Sequence, residues 1–254
     1  NLITVYRGGK FTWEGGLIRG DQGAGMVGIR LTGLYRPEFH NVEFTRNVAT
    51  SGGQVEWHHC YNPVTTDIVN NGGFYPLIAH AGTKHAQFRD VQGYNCHHLI
   101  ATGKFVDGLQ ARGIRGAKND SAFDTHPSFN TLLEDCVSDG SLPVNTRGVG
   151  VTWRNVVSRT SGTGADVGPF WIGWIQNGAI NSPRNTMTGR FDLNLENVDA
   201  RTVTGSRASI GLGGMRSATL VNIYADEIIA ANSSTVEPYQ RVEFRNCDAN
   251  GWNV

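Results

Sequence analysis

FRDV at 88–91, ARGI at 111–114, LEDC at 133–136, WRNV at 153–156, LENV at 195–198, LVNI at 220–223 and FRNC at 244–247 are one phrase written seven times. Each runs apolar, variable, then Asn, Asp or Gly, then apolar or Cys. The third positions are Asp90, Gly113, Asp135, Asn155, Asn197, Asn222 and Asn246, spaced by 23, 22, 20, 42, 25 and 24 residues. The gap of 42 reads as two periods, with Asn177 at the missing step. Asn47 stands 43 residues before Asp90, again two periods. A period near 22 with tolerated insertions is the signature of a solenoid.

The period also selects the kind of solenoid. Helical repeats need about 33 residues or more per unit, and leucine-rich repeats need a leucine framework that is missing here. A unit of about 22 residues with alternating apolar positions predicts strands. The expected fold is all-β: a single-stranded right-handed parallel β-helix of about 22 residues per rung, occupying 1–254 as one domain and forming a module of a longer chain. In such a coil, side chains one period apart stack about 4.8 Å from each other. Stacked amides at a bend can hydrogen-bond along the axis, and a glycine in the same row suits a bend that needs positive φ. The apolar flanks of the phrase, among them Phe88, Leu133, Trp153, Leu195, Phe244 and Cys247, are the expected core.

Composition excludes several function classes. Lys+Arg and Asp+Glu are 22 each, so the formal net charge is zero, and the basic excess of a nucleic-acid binder is absent. No apolar run is long enough to span a bilayer, so no membrane partner is expected. Cys60, Cys96, Cys136 and Cys247 form no CxxC pair, which argues for buried thiols over a zinc site. His58-His59 and His97-His98 fit no HExxH or HxH spacing, so neither metal nor cofactor is expected.

A polar row stands half a rung from the Asn row. Steps of 22 from His58 give His80, Thr102, Asp124 and Thr146; two residues on, they give Cys60, Gly82, Lys104, His126 and Gly148. Alternation puts Asp124 and His126 on one face. Counting by 22 sets Thr102 one rung below Asp124 and Lys104 one rung below His126, with Arg147 flanking the next rung. Removing a proton beside a sugar carboxylate needs a cation to neutralise that carboxylate and a base to take the proton. Lys104 and Arg147 supply the cation, His126 titrates in the right range, Asp124 orients it, and His80 completes the catalytic candidates. His58, Tyr94, Asp166, Trp171 and Trp174 are the candidate substrate-binding residues, since exposed aromatic faces pack on sugar rings. Trp171 and Trp174 are three apart, so only one faces outward in a strand.

The rung pattern resembles the pectate-lyase-like β-helix superfamily, which includes phage tailspikes and appendages, polysaccharide lyases and alginate epimerases. SAFDTHPSFNTLLEDCVSDG at 121–140 is similar to the Asp-Pro-His segment of alginate epimerases through Phe123, Asp124, His126 and the acidic rung that follows. Thr125 stands where that family has proline, and Ser121 where it has its catalytic tyrosine. The resemblance implies a phage appendage depolymerase at the virion surface or otherwise extracellular. Its partner would be an acidic bacterial polysaccharide, cleaved by lyase-type β-elimination, and its assembly a homotrimer. A C5-epimerase is a further alternative. An inverting glycoside hydrolase stays open, with carboxylates drawn from Asp120, Asp124, Glu134, Asp139 and Asp166. So does a non-catalytic adhesin or structural shaft.

Overall fold

The computed structural model describes residues 3–20, 28–46, 53–80, 82–103, 105–119, 121–140, 145–160, 171–172, 192–200, 210–213, 217–231 and 241–253. Among these residues there is no helix, and the paired strands run parallel. The chain is a parallel β-helix. Its rungs are laid out by long strands such as Gln87–Cys96, which pairs with Val64–Gly73 on one side and with Gln110–Arg112 and Arg115–Asn119 on the other. Each long strand bends once. The residues before the bend build a first sheet and those after it a second. A third sheet stacks Ile3–Gly8, Ile29–Leu34, Gly53–His58, Tyr75–Ala79, His98–Thr102, Ser121–Phe129 and Asn145–Val149 in succession.

The Asn row is the bend. Asn41, Asp67, Asp90, Asp135, Asn155, Asn197, Asn222 and Asn246 all have φ between 50° and 55°, and Gly113 has φ 65°. Asn and Asp tolerate this left-handed conformation because a short polar side chain can hydrogen-bond locally. Here the amides bond along the axis. Asn155 donates to Asp135 at 2.8 Å, Asn197 to Asn155 at 3.0 Å, Asn222 to Asn197 at 2.8 Å and Asn246 to Asn222 at 2.8 Å. At Gly113 a side chain would collide with the rung below, since a Cβ would stand 2.5 Å from Asp90 Oδ1.

Two sequence expectations are corrected. The gap of 42 is one rung, because Val151–Thr160 pairs directly with Asp192–Ala200 and Asn197 bonds Asn155 itself. The rung encloses an insertion, and Asn177, outside the described residues, is no intermediate step. Below Asp90 the row continues through Asp67 and Asn41, set by the pairing of Glu38–Arg46, Val64–Gly73 and Gln87–Cys96. Asn47, also outside the described residues, does not hold that place.

A single apolar core fills the coil. Phe88, Leu133, Cys136, Trp153, Val156, Leu195, Val198, Leu220 and Ile223 are buried as expected. Phe244 and Cys247 are only partly buried, because among the described residues the Arg241–Arg245 rung is covered from one side. Cys60, Cys96, Cys136 and Cys247 are free thiols. Burial pushes Cys96 and Cys136 up to about 12, so both serve as small protonated core groups.

The ladder yields a stability prediction. Asn197→Ala removes two amide bonds and leaves a residue that dislikes positive φ, and should cost about 2 kcal/mol. Asn197→Gly keeps the bend and should cost about 1 kcal/mol. Urea unfolding of the two variants checks this; equal losses would mean that the left-handed bend contributes nothing.

Candidate functional site

Two rows of residues run along the third sheet. The first is Arg30, Glu56, Ile78, Ala101, Asp124 and Asn145, each opposite the next. The second follows two positions on: Thr32 opposite His58, then His80, Gly103 and His126. These last three come directly after Ala79, Thr102 and Thr125, which are themselves in register; Arg147 follows Thr146, the partner of Thr125, where the register shifts before Ser128. Counting by 22 failed on two successive rungs. His80 to Gly103 and Thr102 to Thr125 are each 23 residues, so Thr102 pairs with Thr125 and not with Asp124. The first extra residue turns Thr102 inward, and both Thr102 and its partner Thr125 are fully buried. Gly103, not Lys104, occupies the place below His126.

The two rows converge on Glu56. Its side chain is 6% exposed, and Arg30 donates to its Oε2 from Nε at 3.0 Å and from Nη2 at 2.8 Å. His58 Nε2 lies 3.0 Å from the same oxygen, and His80 Nε2 lies 4.0 Å from Oε1. The two imidazoles stack at 4.3 Å between centroids. Gly103 seats the second ring: a Cβ there would stand 2.4 Å from His80 Nδ1. Further along, His98 Nε2 is 3.7 Å from Asp124 Oδ2, both residues being buried. His98 is packed against Tyr75 at 5.5 Å and His97 at 3.9 Å.

Burial pushes the Glu56 carboxyl upward, but hydrogen bonds from His58 and Arg30 and the charges of His80 and Arg30 outweigh it, leaving its pKa below the ordinary 4.5. A lowered folded-state value means stability that is present above the unfolded value and lost as pH falls through the folded one. Glu56→Gln should therefore be less stable than the parent at neutral pH, with the difference shrinking as pH drops below about 4.5. Urea midpoints at several pH values test it; a difference independent of pH would remove the linkage.

Glu56, His58 and His80 each place one ligand atom within 4.8 Å of the others. Two imidazoles and a carboxylate suit a divalent transition metal by composition. Arg30, however, already balances the carboxylate with two N–H groups on one oxygen, and the cluster reads as an ion-pair network.

Of the expected catalytic residues, the structure brings His80 into this cluster and sets Asp124 on the same sheet face two rungs away, about 9.6 Å by rung height. His126 is placed by backbone register alone, Arg147 follows Thr146 at a shift in register, and Lys104 lies outside the described residues. Of the expected binding residues, His58 joins the cluster. Tyr94 sits on the second sheet, opposite Asn71 and Ala117. The backbone of Trp171 belongs to the third sheet, since Ile172 pairs with Thr146; Asp166 and Trp174 lie outside the described residues. Sequence reasoning missed Glu56 and Arg30. Glu56 was within reach, two residues before His58 in GQVEWH and so on its face. Arg30 was not, because it precedes Glu56 by 26 residues, off the 22-residue step.

No family model matches the chain, and no curated protein does. Among solved structures, the tailspike protein gp49 from Pseudomonas phage LKA1 superposes over 96% of this chain with a TM-score of 0.61 at 15% identity. The fold is tailspike-like. The chain spans 44% of the length of that tailspike. At this identity the likeness concerns the fold, and the chemistry has to be argued from the residues.

Proposed function

We propose that this tailspike-like β-helix is part of a trimeric phage virion protein that cleaves an acidic cell-surface polysaccharide by β-elimination on its third sheet. The observation that carries the reading is the Arg30–Glu56–His58–His80 cluster, with its imidazoles partly exposed on a lateral face long enough for a polymer. In this reading His80 takes the proton from the carbon beside the sugar carboxylate. The electron pair of that C–H bond forms the new carbon–carbon double bond, the bond to the glycosidic oxygen breaks, and that oxygen takes a proton from water. Glu56, fixed by Arg30, stabilises the imidazolium that His80 becomes. Arg147, next in the chain to Thr146 on the following rung, and Lys104, next in the chain to Gly103, are the proposed cations for the sugar carboxylate. Asp124 and His126 are proposed to line the neighbouring rungs.

The hydrolase alternative has less support. Inversion needs two carboxylates facing one bond. Among the described residues, Glu134 is on the first sheet, bound to Arg112 at 2.7 Å and Arg154 at 2.9 Å; Asp139 is on the second, and Asp124 on the third. Asp120 and Asp166 lie outside the described residues. The test is incubation with a panel of bacterial capsular polysaccharides, following the ultraviolet absorbance of unsaturated uronates alongside reducing ends. Both signals together are expected. Reducing ends alone mean hydrolysis, and neither signal leaves an adhesin.

A further inference from the structure

A second polar surface lies around the corner from the histidines, on the same rungs. Tyr35 and Tyr61 face each other across adjacent rungs, rings stacked at 5.7 Å and 11°. They are 56% and 42% exposed, and as a stacked pair they present a continuous aromatic surface. The outer face of Tyr35 is open: Gly8 pairs with Leu34, which sets Gly9 beside Tyr35, and a Cβ on Gly9 would meet nothing within 4 Å.

Beside the pair runs a groove of about 420 Å³ whose lining includes Arg36, Glu38, His40, Asn62, Gln87 and Arg89. Arg36 and Asn62, next in the chain to the two tyrosines, hold positive φ of 50° and 52°. An arginine rarely adopts that conformation. The charges in the groove are unequally satisfied. Glu38 is neutralised by Lys10 at 3.3 Å, His40 at 3.6 Å and Arg36 at 3.8 Å. Arg89 donates to Gln87 Oε1 at 2.7 Å and has no carboxylate partner among the described residues. Its neighbours along the axis do: Arg112, Glu134, Arg154 and Glu196 alternate in sign and bond at 2.7–3.0 Å. Among the described residues the ladder of ion pairs thus ends on Arg89, a guanidinium with no carboxylate partner, which lines the groove that the tyrosines flank.

We propose that this corner is a saccharide-binding subsite for an acidic sugar chain, separate from the histidine cluster. One sugar ring packs its C–H face on Tyr35. A carboxylate further along the chain takes the guanidinium of Arg89 in a forked pair. Tyr35 and Arg89 are two rungs apart, roughly 10 Å along the axis, which spans more than one sugar ring. The subsite stands on the aromatic pair and the unmatched cation and does not require cleavage at His80.

The test is calorimetric titration of the full chain with oligomers of polygalacturonate, alginate and hyaluronan, with dextran as an uncharged control. It is run on the parent, Tyr35→Ala, Arg89→Gln and His80→Ala, each checked by thermal unfolding. Binding of at least one polyuronate is expected. Tyr35→Ala should weaken it about tenfold, as expected for loss of a well-packed aromatic platform. Arg89→Gln should weaken it and flatten its salt dependence, and Tyr35→Ala should weaken binding in the His80→Ala background as well. A Tyr35-dependent loss of binding that persists where cleavage is lost separates this subsite from the cleavage reading. The proposal is overturned if the parent binds no polyuronate or if both groove variants bind as the parent does. It is equally overturned if Tyr35→Ala changes the oligomeric state in sedimentation, because the tyrosines then pack against a second copy.

Discussion

Trp57→Ala is expected to lower the unfolding free energy by about 3–5 kcal/mol. Trp57 is fully buried and belongs to the third sheet, while its ring meets Phe39 at 6.1 Å and Phe88 at 5.4 Å, both on the first. The indole therefore joins two sheets across the core, and Ala79 one rung on leaves it room. A β-helix cannot collapse onto the vacated space, because backbone hydrogen bonds fix the rung spacing, so the cavity term should be near its maximum. The indole Nε1 is buried with no hydrogen-bond partner, which already costs the native state something. Trp57→Phe discards that N–H and keeps most of the ring, and should cost only about 1 kcal/mol. Urea unfolding of the two variants measures the order. A loss below about 1 kcal/mol for the alanine variant would sink the assignment of Trp57 as the inter-sheet filler.

His80→Ala is expected to reduce polysaccharide cleavage by about a hundredfold or more, the range for loss of a positioned general base. A second variant keeps this interpretable. Gly103→Ala leaves His80 in the sequence but puts a methyl group 2.4 Å from its Nδ1, so the ring must swing away from Glu56. Both variants should lower kcat much more than they raise KM, with unfolding midpoints close to the parent. Activity within about threefold of the parent in both would remove His80 from the chemistry, since a general base contributes far more than that, and would leave polysaccharide binding alone.

The sequence by itself determined the architecture, for a physical reason. A parallel stack repeats the same environment every rung, so a bend that needs left-handed φ selects Asn, Asp or Gly each time, and the choice prints itself at a fixed period. Asp90, Gly113, Asp135, Asn155, Asn197, Asn222 and Asn246 carry that print, and most of the core followed from their neighbours. The rung count from Asn155 to Asn197 did not follow, because an insertion that leaves the ladder intact looks in sequence like a skipped period. The site was legible only in outline. His58, His80 and Asp124 were visible as outward polar residues, but two successive rungs of 23 residues exchanged inside for outside at Thr102 and then moved Asp124 into the row of Glu56. Only the tertiary structure decided that Glu56 gathers Arg30, His58 and His80, because the contacts come from rungs of 26 and 22 residues and no single step reaches all of them. It alone decided, too, that Arg89 has no carboxylate partner among the described residues. That is a property of what stands one rung above and below, and it depends on the register of strands that chain order does not fix.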